Sequence, residues 1–225
     1  GAVEWSLDFE RIKALPRRPK PDLDSLVQHY TEKLRRPGGT MVLRPIQAWM
    51  LHEGAQVGGL IGPVGCGEGK SLADCLMPMV VPDCKRAVLF IPPSLRPQFL
   101  GHDWDFYGQH FILPNLAGGS KFVPGRPVLH VIAYSELSSQ NASTILQQIN
   151  PDLIIADEAH NLKNRGTARV RRFLRYFIER DETRFMGWSG TLPSKSLHDY
   201  AHLAALALGA GSPLPNEAST VEERA

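Results

Sequence analysis

The 225-residue sequence lacks a cysteine framework. It contains only three cysteines, Cys66, Cys75 and Cys84, and no two of them form a CxxC pair. An odd number of cysteines without paired spacing argues against both a disulfide scaffold and a zinc site. The pattern favours a reducing, intracellular compartment, which would be cytoplasmic in a bacterium or a phage-infected cell and nuclear in a eukaryote.

Long apolar segments and charge of one sign are also missing. No apolar run approaches the roughly 18 residues of a membrane-spanning helix, and the N-terminus has no apolar core of the signal type, so no membrane partner is expected. The 25 basic and 23 acidic residues give a net charge of only +2, and any nucleic-acid surface must therefore be local. A hydrophobic content of 43% is ordinary for a globular domain with a substantial core.

A glycine-rich stretch from Gly62 to Leu72 is the feature around which the chain is organised. An apolar run that we predict as a strand, Val57 to Ile61, precedes it, and a helix-permissive run follows. Glycines let successive backbone N–H groups turn inward, and a following helix directs its positive end at an anion. The pattern predicts a phosphate-cradling loop, in which Lys70 reaches the β- and γ-phosphates of a nucleotide and the Ser71 hydroxyl binds Mg²⁺.

This loop departs from the usual GxxxxGK[ST] spacing at one position. Val64 stands where the first glycine is expected, and Gly65 follows one residue later. Taken alone, the stretch could also be a chance glycine-rich turn. The residues expected to contact the nucleotide are Gly65, Gly67, Glu68, Gly69, Lys70, Ser71 and Leu72.

Two adjacent carboxylates form the second candidate element. The apolar run Leu153 to Ala156 predicts a buried strand, which delivers Asp157 and Glu158 at its C-terminal tip. Asp157 would bind Mg²⁺ directly or through water, and Glu158 would polarise the attacking water. Adjacent acids after a strand often occur by chance, but their combination with an upstream Lys-Ser loop is much rarer by chance.

The remaining chain alternates short apolar runs with helical periodicity, which predicts an α/β fold with a mostly parallel sheet and helices on both faces. Further strands are predicted over 87–91, 128–134 and 184–188, helices over 22–36, 45–52, 142–149, 165–180 and 197–208, and an irregular insertion over 101–127. We divide the chain into an N-terminal arm and helix (1–39), a nucleotide-binding lobe (40–208) and a flexible tail or linker (209–225).

Two segments are candidates for contacting nucleic acid. Ser94, Arg96 and Gln98 follow the strand 87–91, at the sheet edge where ligands gather in open α/β folds, although a proline-rich turn explains them equally well. The helix 165–180 is rich in arginine. Its face from Arg169 to Arg175 could be a secondary nucleic-acid surface or an ordinary solvated face.

Taken in order, these motifs resemble the first RecA-like lobe of superfamily-two helicases, specifically the Swi/Snf-type translocases of double-stranded DNA, over residues 40–208. LRPIQ (Leu43 to Gln47) resembles the motif that reads adenine, and GEGKS resembles motif I. IPPSLRPQF is similar to motif Ia and VIAYSEL to motif Ib. IIADEAHNLKN resembles motif II with its DEAH box, and SGTLPSKSL resembles motif III.

This resemblance implies a RecA-like P-loop lobe that binds ATP with Mg²⁺ and hydrolyses it to move on duplex DNA. Gln47, whose amide can both donate to and accept from an adenine edge, and Arg44 would lie on the base side of the nucleotide. The residues implied to couple nucleotide state to movement are His160, Ser189, Gly190 and Thr191. A second RecA-like lobe in cis, beyond the C-terminus, would supply arginines to the reaction, so this chain alone is expected to be poorly active.

Two alternatives are open from the sequence. The chain could be a lobe of an RNA-remodelling helicase, because DEAH boxes occur there too. It could also be a nucleotide-dependent scaffold or clamp that binds ATP and a partner without productive turnover. Stimulation of ATP hydrolysis by duplex DNA or by RNA separates the two motors.

Overall fold

A computed structural model describes residues 19, 21–64, 69–138, 144–164, 166–180, 182–190 and 201–208. Most of the predicted N-terminal arm, the tail from residue 209, and several predicted site positions lie outside these ranges. Those site positions are Gly65, Gly67, Glu68 and Thr191, together with Arg165 of the arginine-rich segment.

The described part of the chain alternates helices with short strands. The helices are α1 (Leu23–Leu34), α2 (Pro45–Val57), α3 (Lys70–Val80), α4 (Arg96–Gln98), α5 (Trp104–Gly108), α6 (Tyr134–Ser138), α7 (Ile145–Ile149), α8 (Ala168–Glu179) and α9 (Ala201–Leu208). A π-helical turn (Phe99–Asp103) joins α4 to α5, and a 3₁₀ turn (Ala159–Leu162) follows the fifth strand. The strands are β1 (Leu60–Pro63), β2 (Arg86–Ile91), β3 (Asn115–Leu116), β4 (Val128–Ala133), β5 (Leu153–Asp157) and β6 (Arg184–Ser189).

The six strands form one sheet in the order β1-β6-β5-β2-β4-β3, and each neighbouring pair is parallel. The C-terminal ends of the strands therefore lie along the same edge of the sheet. The register places Pro63 beside Ser189, and Asp157 beside Trp188. This edge gathers the tips of β1, β6 and β5, each of which precedes a candidate functional residue.

Helices cover both faces of the sheet, as predicted, because the central strands β2 and β5 are apolar except at one end residue each. In β2, the side chains of Ala87, Leu89 and Ile91 join one buried cluster, while Val88 and Phe90 join another. The first cluster contains α1, α2 and α3, and the second contains residues from α6, α7, α8 and α9. Continuous apolar runs suit strands that are buried on both faces.

The start of β1 differs from the prediction. Helix α2 continues to Val57 instead of ending near His52, and β1 begins only at Leu60. Gly58 ends the helix in the left-handed conformation with φ of 72°, and its N–H donates to the Gly54 carbonyl. The predicted strand over Val57 to Ile61 was therefore wrong at its first half, because two consecutive glycines act as a helix C-terminus.

The predicted irregular insertion over 101–127 was also wrong in part. Its first residues belong to the helical segment from α4 to α5, and Asn115–Leu116 adds an edge strand beside β4. The helix was not predicted because the π-helical turn spaces inward side chains by five residues instead of four. The rings of Phe99 and Trp104, five residues apart, lie 6.3 Å from each other.

Helix α1 lies within the predicted N-terminal extension but packs into the core of the lobe. Tyr30 and Leu34 are buried in the first cluster, and the Tyr30 hydroxyl lies 3.2 Å from Nδ1 of His52 in α2. No helix in the described ranges is long and apolar enough to cross a membrane.

Candidate functional site

The candidate site is formed where three segments meet at the C-terminal edge of the sheet. Lys70 is the first residue of α3, Asp157 is the last residue of β5, and Ser189 is the last residue of β6. Because β5 and β6 are neighbours and β1 lies beside β6, the fold brings these three residues together although they are far apart in sequence.

Lys70 is the centre of a buried charged cluster. Its ammonium group contacts a carboxylate oxygen of Glu158 directly and lies 3.5 Å from Oδ1 of Asp157. Lys70 is only 8% exposed and Asp157 only 4%. Burying charges is costly unless they are paired, so a lysine between two carboxylates is favourable only while the three remain together or another charged group replaces a partner.

The backbone at Glu158 is strained. Glu158 adopts the left-handed conformation with φ of 53° and ψ of 55°, which costs a non-glycine residue about 1–3 kcal/mol. The Glu158 N–H donates to Oδ1 of Asp157 at 2.9 Å, and the Asn161 backbone and side-chain amides both donate to the Glu158 carbonyl, at 3.0 and 2.9 Å. These bonds hold the turn that aims both carboxylates at Lys70.

His160 and Ser189, predicted as coupling residues, are brought together beside Glu158. The His160 Nδ1 atom lies 2.8 Å from Ser189 Oγ, and the Ser189 hydroxyl lies 3.4 Å from Oε2 of Glu158. Partial burial, aided by the positive charges of Lys163 and Lys70, lowers the pKa of His160. The lowered pKa favours the neutral imidazole, which lies 3.3 Å from Oε2 of Glu158 and contacts the same carboxylate through the Ser189 hydroxyl.

Asp74 is a site residue that sequence reasoning missed. Its carboxyl group is completely buried on α3, and within the described ranges neither oxygen has a hydrogen-bond partner. Burial, followed by the nearby charge of Asp157, raises the pKa of Asp74 well above its usual range, and burial also raises the pKa of Asp157. The sequence did contain a signal for Asp74, because it is the single acid in the otherwise apolar run from Leu72 to Val80.

Gln47 connects helix α2 to the end of the phosphate loop. Its Oε1 accepts a hydrogen bond from the Arg44 N–H at 2.8 Å, and its Nε2 donates to the Gly69 carbonyl at 2.8 Å. Gly69 has φ of 74°, and an added Cβ would lie 2.4 Å from the Gln47 Nε2 atom, so this position requires glycine. Gln47 is only 4% exposed, and its contact with adenine stays a prediction.

The other two loop residues in the described ranges behave differently. Leu72 is completely buried in the first cluster, so a contact from it to a nucleotide would have to come from its backbone. Ser71 is half-buried, and its Oγ lies 2.7 Å from the hydroxyl oxygen of Tyr107 in α5. The sequence did not indicate Tyr107.

The predicted nucleic-acid residues lie after β2 at the same edge of the sheet. Ser94 is exposed, Arg96 pairs with Glu136 at 3.2 Å, and the Gln98 amide donates to Asp103 at 3.2 Å. Glu136 also accepts a hydrogen bond from the Ala133 N–H, which fixes it at the end of β4. Arg96 and Gln98 are thus held by acids, and they would have to exchange these partners to contact phosphate.

Helix α8 combines an apolar inner side with a basic outer side. Val170 and Phe173 are completely buried, whereas Arg171 and Arg175 are exposed. Arg172 donates to the Leu137 carbonyl at 2.8 Å, which attaches α8 to α6. The helix is therefore part of the core, and its exposed arginines are a surface whose function stays a prediction.

The donor set for a metal ion is small. In the part of the chain that the structure describes, no group of three or more His, Cys, Asp or Glu side chains could hold an ion. Ser71 and Asp157 supply one hydroxyl and one carboxylate, which suits Mg²⁺, because this ion is usually bound by one or two protein ligands together with phosphate oxygens and water.

No protein-family model matches the sequence, and no curated protein matches it. Its structure is similar to the SWI2/SNF2 ATPase core of Sulfolobus solfataricus in complex with double-stranded DNA, with a TM-score of 0.57 and 18% identity over 83% of this chain. It is also similar to the UvsW helicase of bacteriophage T4, with a TM-score of 0.52 and 15% identity over 83% of this chain. The chain spans 39% of the first protein's length and 66% of the second's. These similarities show that the chain has the α/β fold of a RecA-like lobe.

Proposed function

We propose that the chain is the ATP-binding first lobe of a nucleic-acid motor that couples ATP hydrolysis to movement on duplex DNA. The observation that carries this proposal is the buried ammonium group of Lys70, held between Asp157 and Glu158 at the C-terminal edge of a parallel sheet. Ligands of open α/β sheets bind outside this edge. The likeness to two motor proteins in fold supports the same assignment.

The nucleotide's phosphates would replace the carboxylates as partners of Lys70. The Ser71 hydroxyl and the Asp157 carboxylate would hold Mg²⁺, which neutralises charge on the phosphates when it is bound. Lys70 already lies at the start of α3, where the N-terminal end of a helix favours an anion. The exchange of partners keeps Lys70 paired with negative charge in both states.

Glu158 would become available once Lys70 turns towards phosphate. A carboxylate at the tip of β5 can then accept a hydrogen bond from the attacking water and orient it. Ser189 contacts the Glu158 carboxylate, and His160 contacts Ser189. Loss of the γ-phosphate would therefore reach both residues through this one hydrogen-bonded group. Gln47 and Arg44 would lie on the base side of the nucleotide.

Duplex DNA is the proposed partner, and RNA is the alternative. The SWI2/SNF2 core with the same fold was solved with double-stranded DNA, which favours DNA. Ser94, Arg96 and Gln98 would contact the phosphate backbone, so binding would be independent of sequence and would weaken steeply with salt. The side chains of Arg96 and Glu136 are 39% and 40% exposed, and a solvent-accessible pair contributes only about 0–1 kcal/mol, so phosphate can compete for Arg96.

A second RecA-like lobe in cis would complete the motor. Arginines brought across the nucleotide contribute roughly 10³ to 10⁵ in the rate of phosphoryl transfer. The chain alone would therefore bind ATP weakly and hydrolyse it very slowly.

Steady-state ATP hydrolysis tests the proposal, measured for this chain and for a chain extended through a second lobe, each with duplex DNA and with duplex RNA. We expect traces of activity from this chain and DNA-stimulated turnover from the extended one. Glu158→Gln in the extended chain should still bind ATP but hydrolyse it at least about tenfold more slowly, because the water is no longer oriented by a carboxylate.

Three results would contradict the proposal. Turnover of about one per second by this chain alone, which is within the ordinary range of enzymes, would make it self-sufficient. Stimulation by RNA and not by DNA would favour the RNA-remodelling alternative. Normal turnover by the Glu158→Gln variant would remove the water-orienting role of Glu158.

A further inference from the structure

Tyr107 contacts the residue that is proposed to bind the cation. It lies in α5, inside the segment that the sequence left without an assigned function, and its hydroxyl oxygen is 2.7 Å from Ser71 Oγ. In the described part of the chain, Ser71 makes no other side-chain hydrogen bond. Both residues are half-buried, so water competes with this contact only in part.

A hydroxyl group that binds a cation uses an oxygen lone pair, and its proton must point away from the ion. A second group that accepts a hydrogen bond from this hydroxyl fixes the direction of the lone pairs, in the way that outer hydrogen bonds orient the residues that bind metals. The phenolic oxygen of Tyr107 can act as this acceptor, since either oxygen of the pair can be the donor.

We propose that Tyr107 is a positioning residue for Ser71. Its phenolic oxygen accepts a hydrogen bond from the Ser71 hydroxyl and so directs an Oγ lone pair towards the Mg²⁺ of a bound nucleotide. This inference rests on the proposed function, and it assigns a role in that site to a residue outside the helicase-like motifs.

The backbone that carries Tyr107 is firmly anchored, as positioning requires. The Tyr107 carbonyl accepts hydrogen bonds from the N–H groups of His110 and Phe111, at 3.0 and 2.9 Å. The Phe111 side chain is buried, and Phe111 forms a β-bridge with Arg35 just after α1. The Arg36 N–H also donates to the His110 carbonyl at 3.0 Å. Tyr107 is thus attached through its backbone to a part of the core other than α3.

The affinity of this chain for ATP, measured with Mg²⁺ and again with a chelator, tests the inference in the Tyr107→Phe variant. Losing one hydrogen bond at a cation ligand should weaken Mg²⁺–ATP binding by about three- to tenfold. The affinity for metal-free ATP should stay unchanged, because the phenyl ring keeps its packing. A matched control is Tyr176→Phe, which removes a hydroxyl that donates to the Pro151 carbonyl at 2.8 Å, at the opposite edge of the sheet.

A double-mutant cycle sharpens the test. In a Ser71→Ala background, Tyr107→Phe should have no further effect on Mg²⁺–ATP affinity, since the two residues act through one contact. Equal losses with and without Mg²⁺ would show a merely structural role, and either unchanged or tighter Mg²⁺–ATP binding would also overturn the inference. If the unmodified chain binds no ATP at all, the proposed function and this inference fail together. If the unmodified chain binds ATP but Tyr107→Phe does not behave as expected, only the inference fails.

Discussion

The two edges of the sheet treat carboxylates in opposite ways. At the N-terminal edge, the Asp152 carboxylate accepts hydrogen bonds from the N–H groups of Lys85 and Arg86, at 2.9 and 3.3 Å. At the C-terminal edge, the buried Asp74 carboxyl group interacts with the Asp157 carboxyl group, and Asp157 and Glu158 share Lys70. Carboxylates with satisfied hydrogen bonds stabilise a fold, whereas crowded carboxylates with perturbed pKa values are candidates for a functional site.

The N-terminal edge has a cavity of about 480 Å³ with three arginines in its lining. Arg86 donates to the Asn150 carbonyl at 2.9 Å, and Arg184 donates to the Pro82 carbonyl at 2.5 Å. These guanidinium groups are used to hold the turns that precede the strands. We therefore assign stability to this edge and ligand binding to the other.

Removing the Asp152 carboxylate gives the largest expected change in stability. Asp152→Ala leaves two backbone N–H groups without their acceptor, so we expect the free energy of unfolding to fall by about 1–3 kcal/mol. Urea unfolding measures this change, and Asp105→Ala, at an exposed position in α5, is the control that should change little. Equal stability of the Asp152→Ala variant and the unmodified chain would break the comparison at its N-terminal side.

Asp74→Asn tests the C-terminal side through the pH dependence of the free energy of unfolding. Because the folded-state pKa of Asp74 is raised, its stabilising contribution is complete below the ordinary value of 3.8 and is lost as the pH rises through the folded pKa. Asparagine carries no such proton. The stability of the Asp74→Asn variant relative to the unmodified chain should therefore increase between pH 5 and pH 8, as urea unfolding at both values would show. A difference between the two proteins that stays constant with pH would mean that Asp74 does not titrate in this way.

The sequence predicted the residues that the parallel sheet brings together, and it did so for a physical reason. Lys70, Asp157 and Ser189 each follow or end a strand, and all strands of a parallel sheet end at one edge, so their convergence could be expected without coordinates. Asp74 and Tyr107 could not be found in this way. Their importance depends on which side chains of neighbouring elements they contact in the folded chain. The π-helical turn before Tyr107 also disrupts the helical periodicity that would indicate where the Tyr107 side chain points.

The thermal midpoint of unfolding, measured with and without Mg²⁺–ATP, tests the division between the edges most directly. A ligand at 100 times its Kd stabilises the folded state by about 2.7 kcal/mol, so the midpoint of the unmodified chain should rise. Asp152→Ala should lower the midpoint without nucleotide but keep the same rise. Lys70→Ala should lose most of the rise, since its charged contact to phosphate contributes about 2 kcal/mol or more, whereas the exposed Lys163→Ala control should keep it. A full rise in the Lys70→Ala variant, or no rise in the unmodified chain, would contradict the assignment of ligand binding to the C-terminal edge.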